Sequence, residues 1–164
     1  MNWTIERADL EDAAEILGLQ KLAYQSEAAR YDDHTLPPLK QTLEDMEADL
    51  RAQIVLKATL EGRIVGSVRG RVTDGTCYVA RLIVHPDLQD RGLGTQLLHA
   101  LEHACPDAER FELFTGHRSA RALHLYHKLG YQVFRKERVH DRLTLVFLEK
   151  HAPSAQGQRP GGGR

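Results

Sequence analysis

The stretch from Tyr78 to Cys105 constrains this chain more than any other. From Tyr78 to Val84 it is apolar and β-branched, the pattern of a buried strand. Pro86 has no N–H to donate, so ladder pairing should stop before it. A polar loop follows with glycines at 92 and 94. Then Gly94, Leu97, Leu98, Leu101, Ala104 and Cys105 recur at i, i+3, i+4, i+7, i+10 and i+11, one face of a helix. A strand, a glycine-bearing loop and a helix start together make an anion site. The first helical N–H groups lack partners, and the helix dipole puts partial positive charge beside them. Glycines let the main chain approach a phosphate closely, so the loop predicts a pyrophosphate cradle of backbone amides.

The spacing decides among ligands that use such a cradle. A P-loop ends in Gly-Lys-Ser/Thr, and Gly92-Leu93-Gly94-Thr95 has no lysine. The dinucleotide fingerprint requires a third glycine where Leu97 stands. The pattern that fits is Val-x-Pro-x-x-Gln/Arg-x-x-Gly-x-Gly, carried by Val84, Pro86, Gln89, Gly92 and Gly94. This resembles the acetyl-CoA signature of the GNAT superfamily of N-acetyltransferases. The competing account is a glycine-rich turn that only joins strand to helix.

At 164 residues the chain suits one domain, large enough to bury about two-thirds of its unfolded surface. Its formal charge of −1 presents no basic field for nucleic acid. No apolar run approaches the ~18 residues of a membrane span, and the first residues lack the pattern of a signal peptide. Cys77 and Cys105, the only cysteines, read as reduced core thiols. The expectation is a cytoplasmic protein with no nucleic-acid or membrane partner.

Taken in order, Trp3 to Ala8 predicts a short strand and Asp9 the cap of a long helix from Leu10 to about Ala29. Pro37-Pro38 keeps Tyr31 to Lys40 from being regular helix throughout. A second helix should run from Thr42 to Arg51, with Asp45 completing a capping box. Ile54 to Leu60, Ile64 to Thr73 and Thr76 to His85 read as three antiparallel strands joined at Glu61-Gly62 and Asp74-Gly75. After the glycine-loop helix, Arg110 to Thr115 predicts a strand parallel to the fourth. Ser119 should cap a helix that ends at Leu129 with Gly130 as its C′ residue. A closing hairpin from Gln132 to Glu149 turns about His140-Asp141, and the Pro-, Gly- and Ser-rich tail over 151–164 reads as disordered.

This order is similar to the GNAT arrangement over residues 1–150. The fold class implied is α/β, a mixed sheet of about seven strands flanked by four helices, the GNAT acyl-CoA N-acyltransferase fold.

The resemblance also implies site residues. The pantetheine arm would lie as a pseudo-strand against backbone around Leu82, Ile83 and Val84. Amides from Gln89, Asp90, Arg91, Gly92, Leu93, Gly94 and Thr95 would hold the pyrophosphate of acetyl-CoA. A backbone N–H near Leu82 would face the thioester oxygen. Leu125-Tyr126-His127-Lys128-Leu129-Gly130-Tyr131 matches the family segment Leu-Tyr-x-x-Leu-Gly-Tyr/Phe, whose tyrosine commonly protonates the departing thiolate. That makes Tyr126 the general acid, the competing account being a ring that fills the helix stripe. Where the family often has a cofactor-contacting Asn, this chain has Ser119, able to cap the helix and give one hydrogen bond.

Tyr24, Glu27, Arg81 and the Tyr31 to Leu39 loop sit where the family builds its acceptor pocket. Glu27 reads as a base or amine anchor, or equally as a solvated helix carboxylate. Glu27, Asp32 and Asp33 together suggest a cationic amine acceptor. The histidine pairs His99/His103 and His124/His127 lack a companion cysteine or the metalloprotease glutamate, so no metal is expected. His85 and His117 lie near the cofactor loops. The implied function is transfer of acetyl from acetyl-CoA to a primary amine by direct attack in a ternary complex. The alternative is a non-catalytic acyl-CoA-binding module of the same fold. A homodimer built on the closing hairpin is a further expectation.

Overall fold

A computed structural model describes residues 2–153. Its centre is a mixed sheet of seven strands in the order β1-β2-β3-β4-β5-β7-β6. These are β1 (Thr4–Arg7), β2 (Ile54–Leu60), β3 (Arg63–Thr73), β4 (Thr76–Val84), β5 (Arg110–Gly116), β6 (Gln132–His140) and β7 (Leu143–His151). The strands β1 to β4 pair antiparallel, and β5 lies parallel to β4. The closing hairpin inserts β7 between β5 and β6, which leaves β6 as an outer edge exposing Val133, Phe134 and Val139. The turns at Glu61-Gly62 and Asp74-Gly75 place both residues at positive φ, the geometry that matches the twist of paired strands.

The helices are α1 (Ala13–Ala23), α2 (Gln25–Tyr31), α3 (Pro37–Lys40), α4 (Leu43–Ala52), α5 (Leu93–Ala104) and α6 (Ala120–Lys128). The long helix predicted from Leu10 is broken. Leu10–Asp12 is a 3-10 turn inside a capping box formed by Asp9 and Asp12, and the chain bends again at Tyr24. The apolar spacing runs on through the bend, with Ala13, Ile16, Leu19, Ala28 and Tyr31 all buried, so periodicity alone does not reveal it. The capping box of Thr42 and Asp45 forms as expected, and Gly130 ends α6 at φ +96.

Two apolar clusters form. One holds Leu93, Leu97, Leu98 and Leu101 of α5 against Val68, Val79 and Phe111 of the sheet; the other joins Ile16, Leu19 and Met46 to Val55, Ile64 and Ile83. Gly66 and Gly70 on β3 make the first packing possible. A Cβ at Gly66 would fall 2.9 Å from Leu97, and one at Gly70 would fall 2.8 Å from Cys77 Sγ. Ala104, expected on the buried face of α5, is exposed, while Leu93 takes a buried place at the start of the helix. Cys77 and Cys105 are buried free thiols whose sulfurs lie 3.6 Å apart. The strand β7 runs to His151, one residue past the expected domain boundary, and 154–164 of the expected tail lies outside the described residues. Among the described residues no helix is long and apolar enough to cross a membrane.

Candidate functional site

The site begins with a fault in β4. Ser67 pairs with Ile83 and Arg69 with Ala80, so Arg81 and Leu82 together face Val68 alone. This two-against-one count is a β-bulge, and Arg81 takes φ 54 to form it. Before the bulge β4 and β5 pair at Thr76, Cys77 and Tyr78; beyond Tyr78 their ladder stops and the strands separate. On the other side β5 stays paired with β7 along its whole length. The sheet therefore opens into a slot of about 600 Å³.

The wall at one end of the slot is the start of α5. The chain leaves β4 at Val84, makes a 3-10 turn over Pro86–Leu88, and enters the helix at Gly92, which serves as N-cap at φ +86. No side chain caps this helix, so its first amides are free to face the slot. Gln89, Asp90, Gly92, Leu93, Gly94 and Thr95 all line it, as do Leu82, Ile83 and Val84 from the open edge. Arg91 of the same loop is not among the lining residues. Asp90 pairs with Arg121 of α6 at 2.9 Å, bridging the mouth between two exposed side chains.

Tyr126 projects from α6 into the slot. It is 7 % exposed, and burial pushes its phenol well above the ordinary range, with the nearby Tyr24 adding to the rise. It packs near Tyr131 at 6.0 Å between ring centroids, and its hydroxyl has no hydrogen-bond partner among the described residues.

Another wall of the slot is built by α2. The bend at Tyr24 points Tyr24 and Glu27 at the slot, with Arg81 across from them on the bulge. Burial raises the Tyr24 phenol, opposed by the positive charges of Arg81 and Arg69. Glu27 is not a solvated helix carboxylate: Arg30 pairs with one oxygen, and Ser119 Oγ donates to the other at 2.6 Å. Ser119 stands at the N-cap position of α6, but its side chain makes no capping bond. This corrects the expected capping role, because the hydroxyl is drawn to an ionised acceptor instead.

Behind it the Tyr31 hydroxyl lies 2.7 Å from Ser119 Oγ and accepts from the Arg118 amide at 2.8 Å. Since a carboxylate only accepts, the donors run one way, from the Arg118 amide through Tyr31 and Ser119 to Glu27. Gly116 permits this, because a Cβ there would overlap the Tyr31 ring.

Other expected neighbours are elsewhere. Asp32 ends α2 in the left-handed region, and Asp33 is held by Thr35 and, at 2.8 Å, by His140. Neither lines the slot, nor do His85 and His117, whose rings accept from the amides of Asp87 and Thr144. The sequence reading missed Phe114, a half-exposed ring on the open side of β5, and the ion pair of Asp90 with Arg121. Both depend on where β5 and α6 come to rest, which no local spacing encodes.

Comparisons with known proteins agree with this geometry. PaiA N-acetyltransferase from Thermoplasma acidophilum, solved with coenzyme A, superposes at a TM-score of 0.76 with 15% identity, over 92% of this chain and 99% of that one. YncA from Salmonella typhimurium, solved with its cofactor acetyl-CoA, superposes at 0.72 with 26% identity, over 94% of this chain and 96% of that one. The chain is also 28% identical over 120 residues to the UPF0157 protein YqkA of Bacillus subtilis (strain 168), matching 73% of this chain and only 34% of that relative's length. The model of the acetyltransferase (GNAT) family matches residues 14–131. The open sheet, the uncapped glycine-led helix and the matched region together place this chain in the GNAT acetyltransferase family.

Proposed function

We propose that this protein transfers acetyl from acetyl-CoA to a primary amine by direct attack, with Tyr126 as general acid. The observation that carries the reading is the phenol of Tyr126, buried against the slot, held protonated and bonded to no described residue. In this reading the acyl-CoA lies along the open edge of β4. Its main chain offers pairing groups from Val79 onward, and the amides of Gly92 to Thr95 face the pyrophosphate. The family's solved relatives named above contain CoA or acetyl-CoA, which supports the choice of donor.

The amine arrives as an ammonium at neutral pH and must release one proton to solvent water before its lone pair can attack. Attack on the thioester carbon forms the C–N bond, and an amide of the bulge stabilises the developing oxyanion. Collapse breaks the C–S bond, the departing thiolate takes the Tyr126 proton, and the excess proton shed by the attacking nitrogen restores the phenol through water. Burial strengthens the thiolate as a base in the same pocket that raises the phenol, so the transfer stays close to matched. Glu27, with both oxygens engaged, shapes the acceptor wall rather than collecting the proton.

The test is acetyl-CoA titration followed by an amine screen, with Tyr126→Phe beside the native protein. The variant should bind acetyl-CoA unchanged and turn over about 10²-fold more slowly. Binding without transfer to any amine would favour the non-catalytic module instead.

A further inference from the structure

The acceptor end of the slot carries an unbalanced positive charge. Glu27 is paired with Arg30, and Asp49 is paired with Arg69 at 2.5 Å. Arg81 has no such partner: its Nε is buried without a hydrogen bond, and its guanidinium forms no ion pair among the described residues. Arg69, 2 % exposed, likewise leaves its Nε unsatisfied although its terminal nitrogens reach Asp49 and Gln20. A buried guanidinium N–H without an acceptor is costly, and an anion bound in the slot beside the half-buried Arg81 would supply both the acceptor and the counter-charge.

The backbone supplies a second argument. A bulge residue at φ 54 is served best by glycine, which reaches that region without strain. An arginine there accepts the strain and returns nothing to the ladder, so its side chain is the part in use. Of the carboxylates that suggested a cationic acceptor, Asp32 and Asp33 do not line the slot, Asp33 being bound to Thr35 and His140, and Glu27, which does, is already engaged by Arg30 and Ser119. Tyr24, neutral through burial, faces the same end with its hydroxyl unpartnered among the described residues.

We infer that the acceptor is a small amine that itself carries a carboxylate, held by Arg81 with a second hydrogen bond from Tyr24. This rests on the acetyltransferase reading above. Arg81 adjoins Leu82 on the bulge, so the carboxylate is anchored within one side chain's reach of the reacting carbon. Few bonds can then separate it from the amine, as in a free α-amino acid. A polypeptide N-terminus has an amide at that place and fits less well.

The experiment compares the common L-amino acids, glycine included, with their amides as acceptors for the native protein, Arg81→Gln and Arg81→Lys. At least one acid should exceed its amide tenfold or more in kcat/KM. Arg81→Gln should erase that preference by lowering the acid's value at least tenfold more than the amide's, and Arg81→Lys should keep part of it. Amides that equal or outdo the acids overturn the inference and point to a peptide acceptor, leaving the acetyltransferase reading intact. A separate calorimetric titration of the CoA-saturated protein with N-acetylglycine reads the anion site without turnover. Binding that weakens tenfold or more in Arg81→Gln supports the inference, even if no amine is acetylated. No binding, or binding the variant leaves unchanged, overturns it, while acetyl-CoA binding in each variant shows that the slot itself is intact.

Discussion

Ser119 and Glu27 stand 92 positions apart in the chain, and the serine hydroxyl donates to the carboxylate at 2.6 Å. This bond ties α2 to the start of α6 across the slot, so the two walls hold one spacing. Ser119→Ala should cost about 1–3 kcal/mol, because the buried Tyr31 hydroxyl also loses its acceptor. Ser119→Thr, which keeps a hydroxyl, should recover most of that loss. Urea unfolding of the three proteins measures both values.

Gly94 lies where α5 meets α6, and a Cβ there would touch Leu125 at 3.4 Å. A methyl is tolerable by a small shift, but a carboxylate would occupy the space before the free amides. Gly94→Asp should therefore weaken acetyl-CoA binding by at least a hundredfold while the thermal transition moves little, since an acid at a helix N-terminus is favourable. Gly92→Ala should act the other way, costing about 1 kcal/mol through its positive φ. Calorimetric titration with thermal melts separates the two effects.

Asp49 is the only carboxylate facing Arg69 among the bonds described, and it also accepts from Gln41 and Gln53. Burial presses the guanidinium pKa down, against the attraction of Asp49. Asp49→Ala should destabilise the fold by about 3–5 kcal/mol, since it leaves a charge buried without a partner. The double change Asp49→Ala, Arg69→Met should be less damaging than the single one, an ordering that denaturant midpoints reveal.

Hydrogen bonds from Thr35, and then from His140, hold the Asp33 carboxyl down at about 2 against a usual value of 3.8. A depressed folded pKa contributes stability that is complete above the ordinary value and is lost as pH falls through the folded one. The tie between the α2–α3 loop and the β6–β7 hairpin should therefore weaken between about pH 4 and pH 2. Asp33→Ala should flatten the acid limb of the stability curve over that interval, which thermal melts at stepped pH would show.

The strands, their turns and the glycine-led helix were legible because each is written locally. Asp74-Gly75 specifies its hairpin, and Leu97, Leu98 and Leu101 specify the buried face of α5. The bend at Tyr24 was not legible, since Ala28 and Tyr31 continue the apolar stripe through it. Nor was the true bond of Ser119. A serine before a helix reads as a cap, and only the folded chain brings Glu27 within reach as a stronger acceptor. The bulge at Arg81 was hidden for a similar reason: a strand-like run from Tyr78 to Val84 gives no local sign that two of its residues share one partner.

A sheet normally has two outer borders, and this one has a pair of inner borders as well, where β4 and β5 part beyond Tyr78. Whatever seats itself there meets peptide groups, which are the same at every residue. Substitution can rewrite the side chains of both strands without altering that inner contour, provided the parting persists. Proteins built this way are free to drift far apart in sequence and keep the fold, as a chain only 15% identical superposes at a TM-score of 0.76.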